Sequence, residues 1–230
     1  MSESKDFEKN EGVEGYTLND SIESTIGKFR KVLLVALALF VVAVVAVVVG
    51  IVVHSDSVES GLEKVDAIYF SLANAKADST AEEIKKLQDT SIEQLSKLSS
   101  SSGAVSLRAS MLLADLYFQQ GKFEEAKDAW MKAASVKKDA YTNSIAYYNA
   151  AVCSENLNDL DSALSYYGAA SENPDFLLVD HALFSLGRTQ EKKGDSVAAS
   201  ETYQKLNDMH PNSNWAKMAK SRLIELKLSK

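Results

Sequence analysis

The chain has 230 residues, a net charge of −7, two prolines and ten glycines, and it is rich in Ala, Leu, Lys and Glu. That composition calls for an all-helical protein with one domain of useful core and no sheet. It excludes nucleic acid as the main partner, because phosphate binding needs a clustered basic surface and the lysines here are spread among acids; the lone Cys153 can form no intramolecular disulfide and leaves the redox compartment open.

In chain order, Met1 to Gly27 is polar and acid-rich without sustained apolar periodicity, which predicts a disordered tail, residues 1–27. Within it, Leu18, Ile22 and Ile26 are spaced by four, enough for a short helix. Val32 to Val53 then runs 22 residues without a charge. As a helix it would span about 33 Å, the thickness of a bilayer core. It is too long for the apolar region of a secretory signal, no A-x-A-like cleavage site follows, and no lipid-accepting cysteine stands at its end. It is also apolar on every face, which a small repeat protein could not cover. Residues 28–54 are therefore expected to be a transmembrane anchor, in contact with lipid through residues 32–53. Lys28, Arg30 and Lys31 crowd its N-terminal flank, whereas His54 to Gly61 carry Asp56 and Glu59 and no Lys or Arg. By the positive-inside rule the tail lies in the cytoplasm and everything after Val53 outside, which in a bacterium means the periplasm.

Beyond the anchor, Val58, Leu62, Val65, Tyr69 and Leu72 fall at helical steps and predict one buried face over Ser55 to Ala77. Ser79 with Glu82 has capping-box spacing, and Ile84, Leu87, Ile92, Leu95 and Leu98 form the next face. Residues 55–103 thus read as a helical hairpin, either a divergent first repeat or a cap, closed by the breaker SSSSG at Ser99 to Gly103.

The remainder, residues 104–230, repeats one grammar. Leu113-Ala114, Tyr117, a turn at Gly121, then Ala126, Trp130 and Ala133 return as Ala150-Ala151, turn Asn158-Asp159, Ala163, Tyr167 and Ala170. They return again as Leu186-Gly187, turn Gly194-Asp195, Ala199, Tyr203 and Leu206. The small residues Ala126, Ala163 and Ala199 recur at spacings of 37 and 36. Two antiparallel helices approach closely only where side chains are small, and a ring on the second helix fills the gap to the next pair. The period and residue order resemble the tetratricopeptide helix-turn-helix repeat. Three repeats span Leu107 to Ala140, Ser144 to Leu177 and Asp180 to Ser213, with Pro211 at the end of the third. Ser213 is placed to cap a final helix that sets Trp215, Ala219, Leu223 and Leu226 on one side and shows Lys217, Lys220, Arg222 and Lys227 to water.

No catalytic constellation emerges. Cys153 lies inside a repeat helix with no histidine near it in sequence, the reading of a buried inert thiol. His54, His181 and His210 have no ligand spacing, so no metal site is expected. Glu82-Glu83 and Glu124-Glu125 stand at helix starts, where they favour the dipole. No glycine cluster cradles phosphate. We therefore expect a non-enzyme with no cofactor and no small-molecule substrate.

An anchor with a positive-inside flank, a divergent hairpin and repeats reading LADLYFQQGKFEEA, NAAVCSENLNDLDSA and LGRTQEKKGDSVAA together resemble the membrane-anchored tetratricopeptide family represented by the ancillary subunit of the bacterial Sec translocon, a periplasmic chaperone-network component. The resemblance covers roughly Lys28 to the C-terminus. It implies a single-pass inner-membrane protein whose repeats are a periplasmic scaffold or chaperone-like factor for exported or envelope proteins. The alternative is a structural subunit of a membrane complex in which the transmembrane helix makes the specific contact.

Tetratricopeptide stacks line their concave side with the first helix of each pair, at its positions two, five, nine and twelve. Carried over, these are Arg108, Met111, Asp115 and Phe118, then Ile145, Tyr148, Val152 and Glu155, then His181, Phe184, Arg188 and Glu191. Repeats that clamp a C-terminal carboxylate need Lys and Asn at several of these places, where Met111, Asp115 and Tyr148 stand instead. The expected partner is an extended or helical apolar segment of a protein or peptide, its polar ends oriented by Arg108 and Arg188. Replacing Tyr148 and Phe184 together by Ala is then expected to remove binding without unfolding the repeats.

Overall fold

The computed structural model describes residues 18–75, 79–136 and 141–228. Among these the protein is all-α, with no strand: α1 (Leu18–Ala73), α2 (Ala81–Ser99), α3 (Gly103–Gln119), α4 (Phe123–Val136), α5 (Tyr141–Asn156), α6 (Leu160–Ser171), α7 (Val179–Lys192), α8 (Ser196–Met209) and α9 (Asn214–Leu228). The chain divides into two units, the first ending at Asp56 and the second beginning at Ser57.

In the first unit α1 begins at Leu18, so the stretch expected to close a disordered tail is helical; Met1 to Thr17 lies outside the described residues. The segment from Phe29 onward is long and apolar enough to cross a membrane and buries none of its most apolar window within the protein. A separate helix was expected after the span, but α1 continues through Ala73. His54 to Ser60 contains no proline or glycine, so nothing there interrupts the hydrogen-bond ladder.

The second unit is a succession of helix pairs, each helix from α2 to α9 packing on the next, with α7 also touching α9. α3 with α4, α5 with α6 and α7 with α8 are the three pairs expected from the repeat, and α9 follows as the single closing helix. The small residues do what the spacing requires: Ala126, Ala163 and Ala199 are fully buried. A Cβ on Gly187 would stand 2.5 Å from the Tyr203 ring, so that ring packs directly on the glycine backbone. The three turns share one geometry as well. Gly121, Asn158 and Gly194 have φ of 72°, 57° and 89°, the left-handed conformation that ends a helix at little cost only in Gly or Asn.

Local departures from the sequence expectation are small and explicable. The capping box of α2 is Thr80 with Glu83, one residue later than expected: the Glu83 backbone N–H donates to Thr80 Oγ1 at 3.2 Å and the Thr80 N–H to Glu83 Oε2 at 2.8 Å. On α1 the buried face is Val65 and Ile68 with Leu72 beside them, whereas Tyr69 is 61% exposed. Ser213 does cap α9, accepting from the Trp215 N–H at 3.0 Å, and it donates to Asp180 Oδ2 at 2.6 Å, tying the closing helix to α7.

Candidate partner-binding site

Helical register places the twelve expected residues along α3, α5 and α7, but their surroundings divide them. Arg108 pairs with Asp66 of α1. Met111 and Ile145 are half-buried against the first core cluster, and Val152 packs beside Ala163 and Tyr167. Phe118 is 37% exposed and meets Phe123 edge-on at 5.3 Å.

The aromatic residues of the later repeats join in one cluster. Tyr148 lies 5.6 Å from the Tyr167 ring, and its hydroxyl is 2.9 Å from His181 Nδ1. His181 stacks on Trp215 of α9 at 3.8 Å with ring planes 5° apart. Phe184 closes the cluster against Tyr203 and Trp215 at 5.7 and 5.3 Å. Burial lowers the pKa of His181 below the ordinary histidine value, Asp180 opposing and Arg188 assisting the shift, so the neutral ring is favoured in the stack. Phe184 is only 6% exposed. It is a core ring, and replacing it with Ala would open a cavity rather than trim a free contact, which corrects the expectation that the Tyr148 and Phe184 double variant leaves the fold intact.

The charged positions form inter-repeat joints. Glu155 Oε2 accepts from the Tyr167 hydroxyl at 2.8 Å and from Arg188 at 2.6 Å. One repeat further, Glu191 Oε1 accepts from the Tyr203 hydroxyl at 2.6 Å and from Arg222 Nε at 3.1 Å. Burial works to raise the Glu191 carboxyl, but hydrogen bonds from Arg222 and Tyr203 outweigh it and leave the group below the usual range. Burial first, then the bond to Glu155, pushes the Tyr167 phenol well above its usual value. Arg188 and Arg108 are thus paired within the protein, although each side chain stays about half exposed. Arg222, expected to face water, is the counterpart of Arg188 on the closing helix; its spacing of 34 residues from Arg188 is the signal that could have found it.

Asp115 differs from every other acid of the stripe. It sits on the rim of a hollow formed by the end of α1, the start of α2 and α3, and has no ion-pair or hydrogen-bond partner among the described residues. Burial by those walls raises its carboxyl above the ordinary aspartate value. Cys153 is fully buried, burial pushes its thiol up to about 11, and no cluster of metal-ligating side chains occurs among the described residues.

These features define an all-α helical-repeat protein with one apolar helix at its N-terminal end. A family model described as "Domain of unknown function (DUF6340)" matches residues 113–206, from Leu113 in α3 to Leu206 in α8. The chain is 31% identical over 146 residues to a protein described as "TPR repeat-containing protein" from Treponema pallidum (strain Nichols). The match covers 62% of this chain and 61% of that relative's length.

Proposed function

We propose that the protein is a membrane-anchored tetratricopeptide scaffold without catalytic activity. Residues 1–27 lie in the cytoplasm, residues 28–54 anchor it in a bacterial inner membrane, and the hairpin 55–103 with the repeats and closing helix 104–230 stands on the periplasmic side. There it holds a protein segment along the first-helix stripe and assists exported or envelope proteins near the translocon. The observation that carries the reading is the combination, in one chain, of a 22-residue apolar run whose most apolar window is buried nowhere in the protein with a stack of helix pairs that has a named tetratricopeptide relative. The charge asymmetry across the run supports the orientation. Within the stripe, Met111, Ile145, Tyr148 and Val152 remain only half-buried, so they are the contact positions; Glu155, Glu191, Arg188 and Phe184 hold the joints between repeats.

Two measurements test this reading. Protease added to spheroplasts should digest the mass after Val53 and spare the tail; digestion of the tail with protection of the repeats refutes the orientation. Photo-crosslinkers at Ile145 and Val152 should then capture a protein in native membranes, and should still do so after Val32 to Val53 is exchanged for an unrelated span. Capture that disappears with the exchange favours the reading in which the membrane helix makes the specific contact.

A further inference from the structure

Between the C-terminal part of α1, the first turns of α2 and the middle of α3 lies a hollow of about 420 Å³. That volume is of the order that admits a small ligand or one to two side chains. Its walls are apolar, built from Tyr69 and Leu72 of α1, Ile84 and Leu87 of α2, and Leu112 of α3. Among the described residues Asp115 on α3 is the sole charged residue in the lining; Gln88 and Gln119 beside it carry no charge.

The stripe acids of the later repeats, and Asp66 of α1, are answered. Glu155 has Arg188, Glu191 has Arg222, and Asp66 has Arg108. Asp115 is exposed at the mouth of the hollow and has no ion-pair partner among the described residues, so it is open to a cation whose apolar part enters beside it. An occupant that uses both the apolar walls and Asp115 brings an apolar body and a positive end. Asp115 also belongs to the stripe, at the register that Val152 and Arg188 occupy in the next two repeats, so whatever fills the hollow can continue along the helices that follow.

Building on the scaffold reading above, we propose that this hollow is the anchoring pocket for a lysine of the bound polypeptide. The four-carbon stem lies between Tyr69, Leu72, Ile84 and Leu87, the ammonium pairs with Asp115, and the flanking residues run past Met111 toward Tyr148. Lysine is suited to the site because its unbranched stem buries on apolar surface while its compact charge reaches a carboxylate at the rim. The raised pKa of Asp115 is the expected property of such a pocket before its cation arrives.

The test uses the full chain in nanodiscs and three acetylated, amidated octapeptides that differ only at a central lysine, methionine or glutamate flanked by leucines. The lysine peptide should bind at least tenfold more tightly than the methionine peptide, and the glutamate peptide least. Asp115→Asn, at the solvent-accessible rim, should erase the difference between lysine and methionine while circular dichroism and thermal unfolding stay unchanged. By carbon NMR the Asp115 carboxyl should titrate at lower pH once the lysine peptide is bound. Equal affinity for lysine and methionine, a preference that survives Asp115→Asn, or an unmoved titration would each overturn the proposal. So would a Lys76→Met variant that shifts the Asp115 titration without peptide, since the chain's own lysine would then be the partner. If the peptides fail while crosslinkers at Ile145 and Val152 still capture a protein, the pocket falls and the scaffold stands; if neither captures anything, both fall.

Discussion

The joint between the first and second repeats and the two that follow it occupy the same three registers with opposite chemistry. In the later joints an acid ends the first helix, a tyrosine crosses from the second, and an arginine arrives from the next repeat: Glu155, Tyr167 and Arg188, then Glu191, Tyr203 and Arg222. At the corresponding registers one repeat earlier stand Phe118, Trp130 and Val152, all apolar; Trp130 is buried in the first core cluster, Val152 packs beside Ala163 and Tyr167, and Phe118 meets Phe123. In the later joints the acid, the tyrosine and the arginine satisfy one another, so none of the three is left unpaired.

The largest expected effect breaks what the two kinds of joint share. Ala163 is fully buried, and Ala163→Trp should cost about 3 kcal/mol or more through overpacking, measured by urea unfolding; a neutral result would mean that the repeat register is wrong. Next, Glu155→Ala strips the Tyr167 hydroxyl and Arg188 of their acceptor. With the Glu155 side chain 13% exposed but that of Arg188 49% exposed, solvent repairs part of the loss, and a cost of about 2 kcal/mol is expected. Phe118→Ala, at the same register of the apolar joint, should cost less, about 1 kcal/mol, because the ring is already partly in water. If Phe118→Ala proves the more damaging, the polar joint is not the stiffer one.

Converting a polar joint to the apolar kind sharpens the comparison further. The triple variant Glu155→Leu, Tyr167→Phe and Arg188→Val should unfold within about 1 kcal/mol of the parent although Glu155→Ala alone does not, since replacing a whole buried polar group by apolar residues is often neutral. The smallest effect is a pH dependence. His181 is held below its unfolded pKa, so its contribution is complete above the ordinary histidine value of about 6.5 and is lost as pH falls toward the folded value. Stability should therefore decline modestly between pH 7 and 5, with a change in Trp215 fluorescence, and His181→Phe should flatten that slope.

Much of this architecture is legible in the chain because it depends on periods and local chemistry. The spacing of Ala126, Ala163 and Ala199, the turn residues Gly121, Asn158 and Gly194, the cap Ser213 and the uncharged run from Val32 to Val53 each determine a local structure from neighbours a few residues away, and each is found where expected. Even there the helix period leaves a choice that packing makes. Tyr69 and Ile68 are adjacent on α1, and only contact with α2 and α3 decides that Ile68 goes inside and Tyr69 lines the hollow.

The candidate site was legible as a stripe but not as a set of available groups. Register alone placed Arg188, Glu155 and Phe184 beside Met111 and Tyr148, yet the first two are locked in a joint and the third is core. Partners for Glu155 and Glu191 lie 33 and 31 residues further along the chain. Whether an arginine at that distance meets an acid depends on how one helix pair seats on the next, which no local period contains. The sequence by itself therefore determined the helices, their turns and the small contacts between them. The tertiary structure decided which charges are spent holding repeats together and which, like Asp115, have no partner among the described residues, because pairing is a property of side chains that meet only once the helices have stacked.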